Sequence, residues 1–316
     1  MDVYDNYTYI FSDEYNDFID QGDDKTTVFI TIELILTVLI VIFNGVLILA
    51  ILLNQDLRSK SKFFLVLTLS ISDLLVGLII QPSLAYLYYE LPTNKDCNVP
   101  LLLAREIGLT FETSIAILLV GAICVDWITE IAVPSYTDKA RYRLAVFMMS
   151  CICIGTVVIL GLLIFPNLQT HYDFCMYTFE FPYNIIIPNV TVLPQSLFVF
   201  ITTILVIVTQ LRTKRTLNIS EIPCDIIMAS VVTLICILSF TVYSLMLLVE
   251  SRFTSLIIHY AISRIALSRR AILPLVWLIN RYSRKEMIRS WTEIIRCKNS
   301  NNMNIEMSEN VTNENK

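Results

Sequence analysis

Seven long apolar stretches recur along the chain, at about 27–54, 62–89, 100–125, 142–166, 183–211, 224–249 and 255–280. They lack the polar face of a helix packed on a soluble core, and each exceeds the roughly 20 residues a helix needs to cross about 30 Å of hydrocarbon. The pattern predicts seven membrane-spanning helices. Charges interrupt the third, and IIIPNVTVLP (185–194) blurs the start of the fifth.

The polar segments between them sort by charge. Those after the first, third, fifth and seventh stretches hold Arg58, Lys60 and Lys62; Lys139, Arg141 and Arg143; Arg212, Lys214 and Arg215; and Arg281, Arg284, Lys285 and Arg289. The opposite side has Lys25, Lys95 and Arg252. Basic loops stay in the cytoplasm, so the N-terminus is expected outside and the C-terminus inside. No apolar core of a cleaved signal peptide stands in residues 1–25, and the first span is expected to serve as its own signal. The expected architecture is an all-α membrane protein in four parts. These are an acidic, tyrosine-rich outer tail (1–26), a seven-helix domain (27–280), an amphipathic helix lying along the membrane (281–298) and a disordered cytoplasmic tail (299–316).

Composition agrees with this reading. Of 316 residues 55% are hydrophobic and 16% charged, and the mean hydropathy is +0.66, too little charge for a soluble domain of this size. Short loops leave no room for a soluble catalytic domain. Of eight cysteines, this topology puts Cys97 and Cys175 outside, where two thiols are expected to pair. Two free thiols are the alternative. Asn6-Tyr7-Thr8 is an outward glycosylation sequon. Cys297, after the basic stretch NRYSRKEMIRSW, is placed for palmitoylation, a plain cytosolic cysteine being the alternative.

Ionisable residues inside spans are costly and call for partners: Asp73, Arg105, Glu106, Glu112, Arg264, Arg269 and Arg270. Counting helical rise from Lys62 and Arg281 puts Asp73 and Arg270 both roughly 16 Å deep, so these two are expected to form a charge-assisted pair. Glu112, Arg264 and Arg269 lie higher. Glu112 with Arg264 or Arg269 is expected to form a second pair, leaving one arginine for an anionic ligand group, unless the three form a purely structural network.

Several motifs resemble those of rhodopsin-like (class A) G-protein-coupled receptors. FNGVLILAILL carries Asn44 in the first span, LTLSISDLLVGLIIQPS carries Asp73 and a kinking Pro82 in the second, and CVDWITEIAVP ends the third with Asp126, Ile131 and Pro134. LPLVW (273–277) stands where that family has Asn-Pro-x-x-Tyr, so Pro274 matches and Leu273 and Trp277 depart. Trp127 replaces the arginine that, in the family, docks the G protein and locks the inactive state. The sixth span has neither the family's Cys-Trp-x-Pro signature nor any proline. The resemblance implies an extracellular ligand, a peptide or small anionic molecule, and a heterotrimeric G protein engaged near Asp126 and Trp127. It also implies that the Arg270 guanidinium takes the place of the sodium ion the family commonly holds at Asp73. The acidic tail with Tyr4, Tyr7 and Tyr15 is similar to those of chemokine and peptide receptors.

Other classes fit less well. No lysine in 255–280 serves a retinal Schiff base, and the two histidines, His171 and His259, fall on the outer side. Neither an enzyme nor a cofactor is expected, and the partners are membrane lipid and protein rather than nucleic acid. The competing reading keeps the fold and changes the task. It is a non-signalling scavenger, decoy or heteromer partner, because an indole at position 127 offers one uncharged donor where a guanidinium offers five.

Overall fold

The computed structural model describes residues 23–83, 99–164, 168–171, 176–179, 183–217, 223–249, 256–279, 284–285 and 292. Helix α1 (Asp23–Leu53) leads through a single helical turn, Gln55–Arg58, into α2 (Ser61–Leu75). Then follow α3 (Val99–Ala132), α4 (Asp138–Ile164), α5 (Tyr183–Leu217), α6 (Cys224–Val249) and α7 (Leu256–Ile279). Among the described residues five helical segments are long and apolar enough to cross a membrane: Ile30–Leu53, Ser61–Ser83, Ile107–Ala132, Asp138–Leu162 and Thr191–Thr213. In α6 a shorter apolar segment covers Cys224–Ser239, and α7 carries Arg264, Arg269 and Arg270.

The described residues are helical, as expected, apart from one short hairpin. β1 (Leu168–His171) and β2 (Met176–Phe179) pair antiparallel between α4 and α5, with Leu168 opposite Phe179 and His171 opposite Met176. Thr170, Tyr177, Thr178 and Phe179 favour extended backbone, and a connection this short satisfies its amides more readily by pairing than by helix.

The turn between α1 and α2 is fixed by Asn54, whose Oδ1 accepts hydrogen bonds from the Asp56 and Leu57 amides at 2.9 and 3.1 Å. Leu57 is buried beneath it. At its other end α2 widens into a π turn, Val76–Ile80, just before Pro82. A proline ring clashes with the carbonyl four residues back, and the looser winding relieves that clash. The kink expected at Pro82 takes this form.

Packing is inside-out relative to a soluble protein. Large apolar side chains such as Ile79, Phe147, Ile154, Leu162, Leu211 and Ile235 face outward, while Glu33, Asn44, Asp73, Glu112, Asp126, Arg269 and Arg270 are buried. Hydroxyls in the helices turn back on their own backbone, as in Thr37 to the Glu33 carbonyl at 2.7 Å and Thr203 to the Val199 carbonyl at 2.6 Å. Such bonds satisfy polar groups where hydrocarbon offers none. Helix α3 sits centrally, against α2, α4, α5 and α6, and α7 closes the ring by packing on both α6 and α1. The buried core runs through α3 (Ile117, Leu119, Val120, Ile123), α2 (Leu65, Val66, Leu69), α5 (Val199, Val206) and α7 (Leu273, Trp277).

The close approach of α1 and α2 requires Gly77, where a Cβ would come 2.8 Å from Ile40 Cγ2 and 3.2 Å from Val41 Cγ2. Ile40 is wholly buried and β-branched, so it has little freedom to yield. Gly77→Ala is expected to destabilise the protein by about 1–3 kcal/mol through overpacking, read as a lower unfolding temperature in detergent. In an Ile40→Ala background the same change should cost clearly less. Equal costs in the two backgrounds would exclude this contact as the reason for the glycine.

Candidate functional site

Four charged side chains meet in the middle of the bundle. Arg269 and Arg270 are consecutive on α7 and only 1% and 2% exposed. Both reach Glu112 on α3: Arg269 Nη2 donates to Oε1 at 2.8 Å, and Arg270 Nη2 donates to Oε2. Arg269 Nη2 also donates to Asp73 Oδ1 at 3.4 Å, and Arg270 Nε lies 3.7 Å from that oxygen. A further contact, 3.4 Å long, runs from Arg270 Nη2 to Thr113 Oγ1. Two carboxylates and two guanidiniums thus cancel, tying α2, α3 and α7 together. Neutrality matters because each isolated charge costs several kcal/mol to take out of water, and the mutual attraction repays this only with full pairing.

Asn44 on α1 braces the cluster for a reason written in the backbone. Pro274 has no amide hydrogen, so the carbonyl four residues earlier, that of Arg270, loses its helical donor. Asn44 Nδ2 supplies the missing bond at 2.9 Å, while also donating to its own Ile40 carbonyl at 2.9 Å. The proline, the carboxamide and the arginine form one unit.

The arrangement revises the expected pairs. Arg270 does approach Asp73, but Glu112 is the partner it shares with Arg269, so the unit is a quartet rather than two separate pairs. Arg264 does not join Glu112. It lies five residues before Arg269, about 7.5 Å further along the helix axis, and pairs with Glu33 of α1, which is fully buried. Each of the three α7 arginines therefore has an acidic partner, and none is left over for a ligand. Glu33 is absent from the ionisable residues singled out in the sequence, although it stands inside the first apolar stretch; no nearby motif marks its partner, which lies on α7.

A second cluster lies at the other end of α3. Asp126 Oδ2 accepts from Ser61 Oγ at 2.9 Å and lies 3.5 Å from Arg141 Nη2 of α4. The same guanidinium donates to Glu130 at 2.8 Å and reaches Asp138 at 3.6 Å. Arg141, read in the sequence as one more inside-facing charge, thus gives Asp126 the cationic neighbour that Trp127 cannot. Trp127 itself is half-buried and packs against the core. Nearby, Lys62 of α2 binds Asp225 at the start of α6 at 2.5 Å. Its ammonium also stands 5.7 Å from the centre of the Trp277 ring, within cation–π range. Trp277 is buried beneath it. No sequence motif pointed to Lys62 or Asp225, since their pairing joins residues 163 apart.

Other expectations fall elsewhere. Cys97, Cys175, Asn6 and Cys297 lie outside the described residues, as do nearly all of 281–298 and the side chains of Arg105 and Glu106. No protein-family model matches the chain, and a search of curated proteins finds no match either.

Glu112→Gln is expected to leave one net positive charge in the quartet and to cost about 3–5 kcal/mol, seen as loss of surface expression. Adding Arg270→Gln restores neutrality and should recover much of that expression. Expression as poor in the double variant as in the single would show that charge balance is not what the quartet supplies.

Proposed function

We propose that the chain is a seven-helix receptor of the rhodopsin-like kind, resident in the plasma membrane with its N-terminus outside, that passes an extracellular signal to a heterotrimeric G protein. The observation that carries this reading is the buried quartet. It links α2, α3 and α7 through interactions in which each guanidinium has two carboxylates within reach. Small rotations can trade partners without baring a charge, which gives the bundle alternative arrangements of similar energy, as a switch needs. The resemblance rests on Asn44, Asp73, Asp126 and Pro274, and the reading is supported by the bond from Asn44 to the Arg270 carbonyl that Pro274 leaves without a helical donor.

In this reading the ligand enters from the outer half, near Glu112, Arg264 and Arg269. Because all three are paired, an anionic ligand group acts by displacing Glu33 or Glu112 from an arginine, not by filling a vacant one. Displacement at Arg269 alters the quartet directly. That couples binding to the packing of α7 on α2 and α3. Neither a cofactor nor a catalytic step enters the scheme.

One observation favours a second reading, a non-signalling scavenger or heteromer partner. Trp127 is packed into the bundle, and Asp126 is held by Ser61 and Arg141, so the guanidinium beside Asp126 is already engaged with acids rather than presented to a G protein.

G-protein dissociation in cells, measured basally and with serum at matched surface expression, separates the two. The receptor reading expects a response from the wild type, and a basal level raised at least twofold in Arg141→Gln, which frees Asp126. Silence from the wild type, Arg141→Gln and Trp127→Arg together would favour the partner reading. Orientation is read independently: Asn6→Gln should remove one glycan, and Asn310→Gln, which alters the matching Asn310-Val311-Thr312 pattern in the C-terminal tail, none.

A further inference from the structure

A shallow, wide-open concavity lies where the α1–α2 connection faces the start of α4, lined by Gln55, Arg58, Ser59, Asp138, Lys139 and Tyr142. Arg58 and Lys139 are exposed and have no acidic partner among the described residues. The one acid in the lining, Asp138, is already within 3.6 Å of the Arg141 guanidinium. Two uncommitted cations therefore share one concavity, which favours an anion.

Position selects the kind of anion. The apolar segments end at Leu53 and resume at Ser61 and Asp138, so the cavity lies at the membrane boundary, where lipid phosphates stand. Tyr142 is half-buried with its ring 5.1 Å from that of Phe64, an interfacial placement common for tyrosine. From there α4 continues as an outward apolar surface through Val146, Phe147 and Ile154. A soluble anion would use the cations and leave that surface idle. A lipid uses both.

We propose that this cavity binds the phosphorylated headgroup of an anionic membrane lipid, with Arg58 and Lys139 on the phosphate and the acyl chains lying along α4. The inference rests on the membrane-spanning reading, and, for inositol lipids of the inner leaflet, on the orientation argued above. Binding couples the α1–α2 turn to α4, which also carries Arg141, the residue that holds Asp126.

The test uses the full chain in nanodiscs of phosphatidylcholine with or without phosphatidylinositol 4,5-bisphosphate, counting bound lipid by native mass spectrometry. Each basic residue near an anionic surface contributes roughly fivefold in affinity, so Arg58→Gln/Lys139→Gln should bind about 25-fold more weakly. Arg143→Gln, an exposed cation of α4 outside the lining, should bind as wild type does. An equal loss in Arg143→Gln, or no loss in the double variant, overturns the site. Displacement by inositol trisphosphate or inorganic phosphate at the lipid's own affinity would overturn the lipid assignment in favour of a soluble anion. Binding of poly-glutamate with no lipid bound would overturn it in favour of a protein partner. Nanodiscs offer lipid at both faces, so an inverted topology shows in the glycan test and leaves this result unchanged.

Discussion

Everything in the bundle answers to the cost of buried charge. Arg269 and Arg270 lie side by side on one helix in a setting where neither can reach water, so the chain must bring acids to them from other helices. Asp73 and Glu112 do so, and in doing so they fix how α2 and α3 sit against α7. The same necessity joins α1 to α7, once through Glu33 and Arg264 and once through Asn44 and the carbonyl that Pro274 leaves bare. Apolar packing between helices gives little preference for one arrangement where the surrounding solvent is equally apolar. The polar contacts therefore choose among the arrangements that packing allows.

The middle and the C-terminal end of α3 use this constraint differently. Midway along α3 the charges are balanced two against two, each guanidinium within reach of both carboxylates. At the end marked by Asp126 the ties are a chain of neighbours: Ser61, Arg141, Glu130 and Asp138 in one group, Lys62, Asp225 and Trp277 in another. These bind the ends of α2, α3, α4, α6 and α7. The absence of an arginine beside Asp126 does not leave the acid bare, because α4 supplies one. That cation belongs to α4 and is already engaged with three acids.

The lipid-facing surface is the complement of this interior. Helix α4 touches α2 and α3 and otherwise turns Phe147, Ile154, Ile159 and Leu162 outward. Its first turn, by contrast, is polar and borders a cationic cavity. One helix thus presents apolar side chains along most of its length and polar ones at its start.

Much of the helical order was legible from the chain alone, since long apolar stretches admit few other structures where no water serves the backbone. The depth agreement of Asp73 and Arg270 was legible as well, because helical rise converts sequence distance to height. Facing was not. Whether Arg264 turns toward α1 or α3 depends on how α7 is rotated, and a helix apolar on most sides records that rotation weakly; hence Glu33 went unnoticed and the partner of Glu112 stayed open between Arg264 and Arg269, of which the structure selects Arg269. The β1–β2 hairpin escaped for a related reason, a few residues whose pairing is decided by the chain opposite. Sequence determined which segments are helices and which charges must find partners, because hydrocarbon imposes both locally. The tertiary structure decided which partners they find, because that depends on rotation and neighbourhood, and neither is a property of one helix.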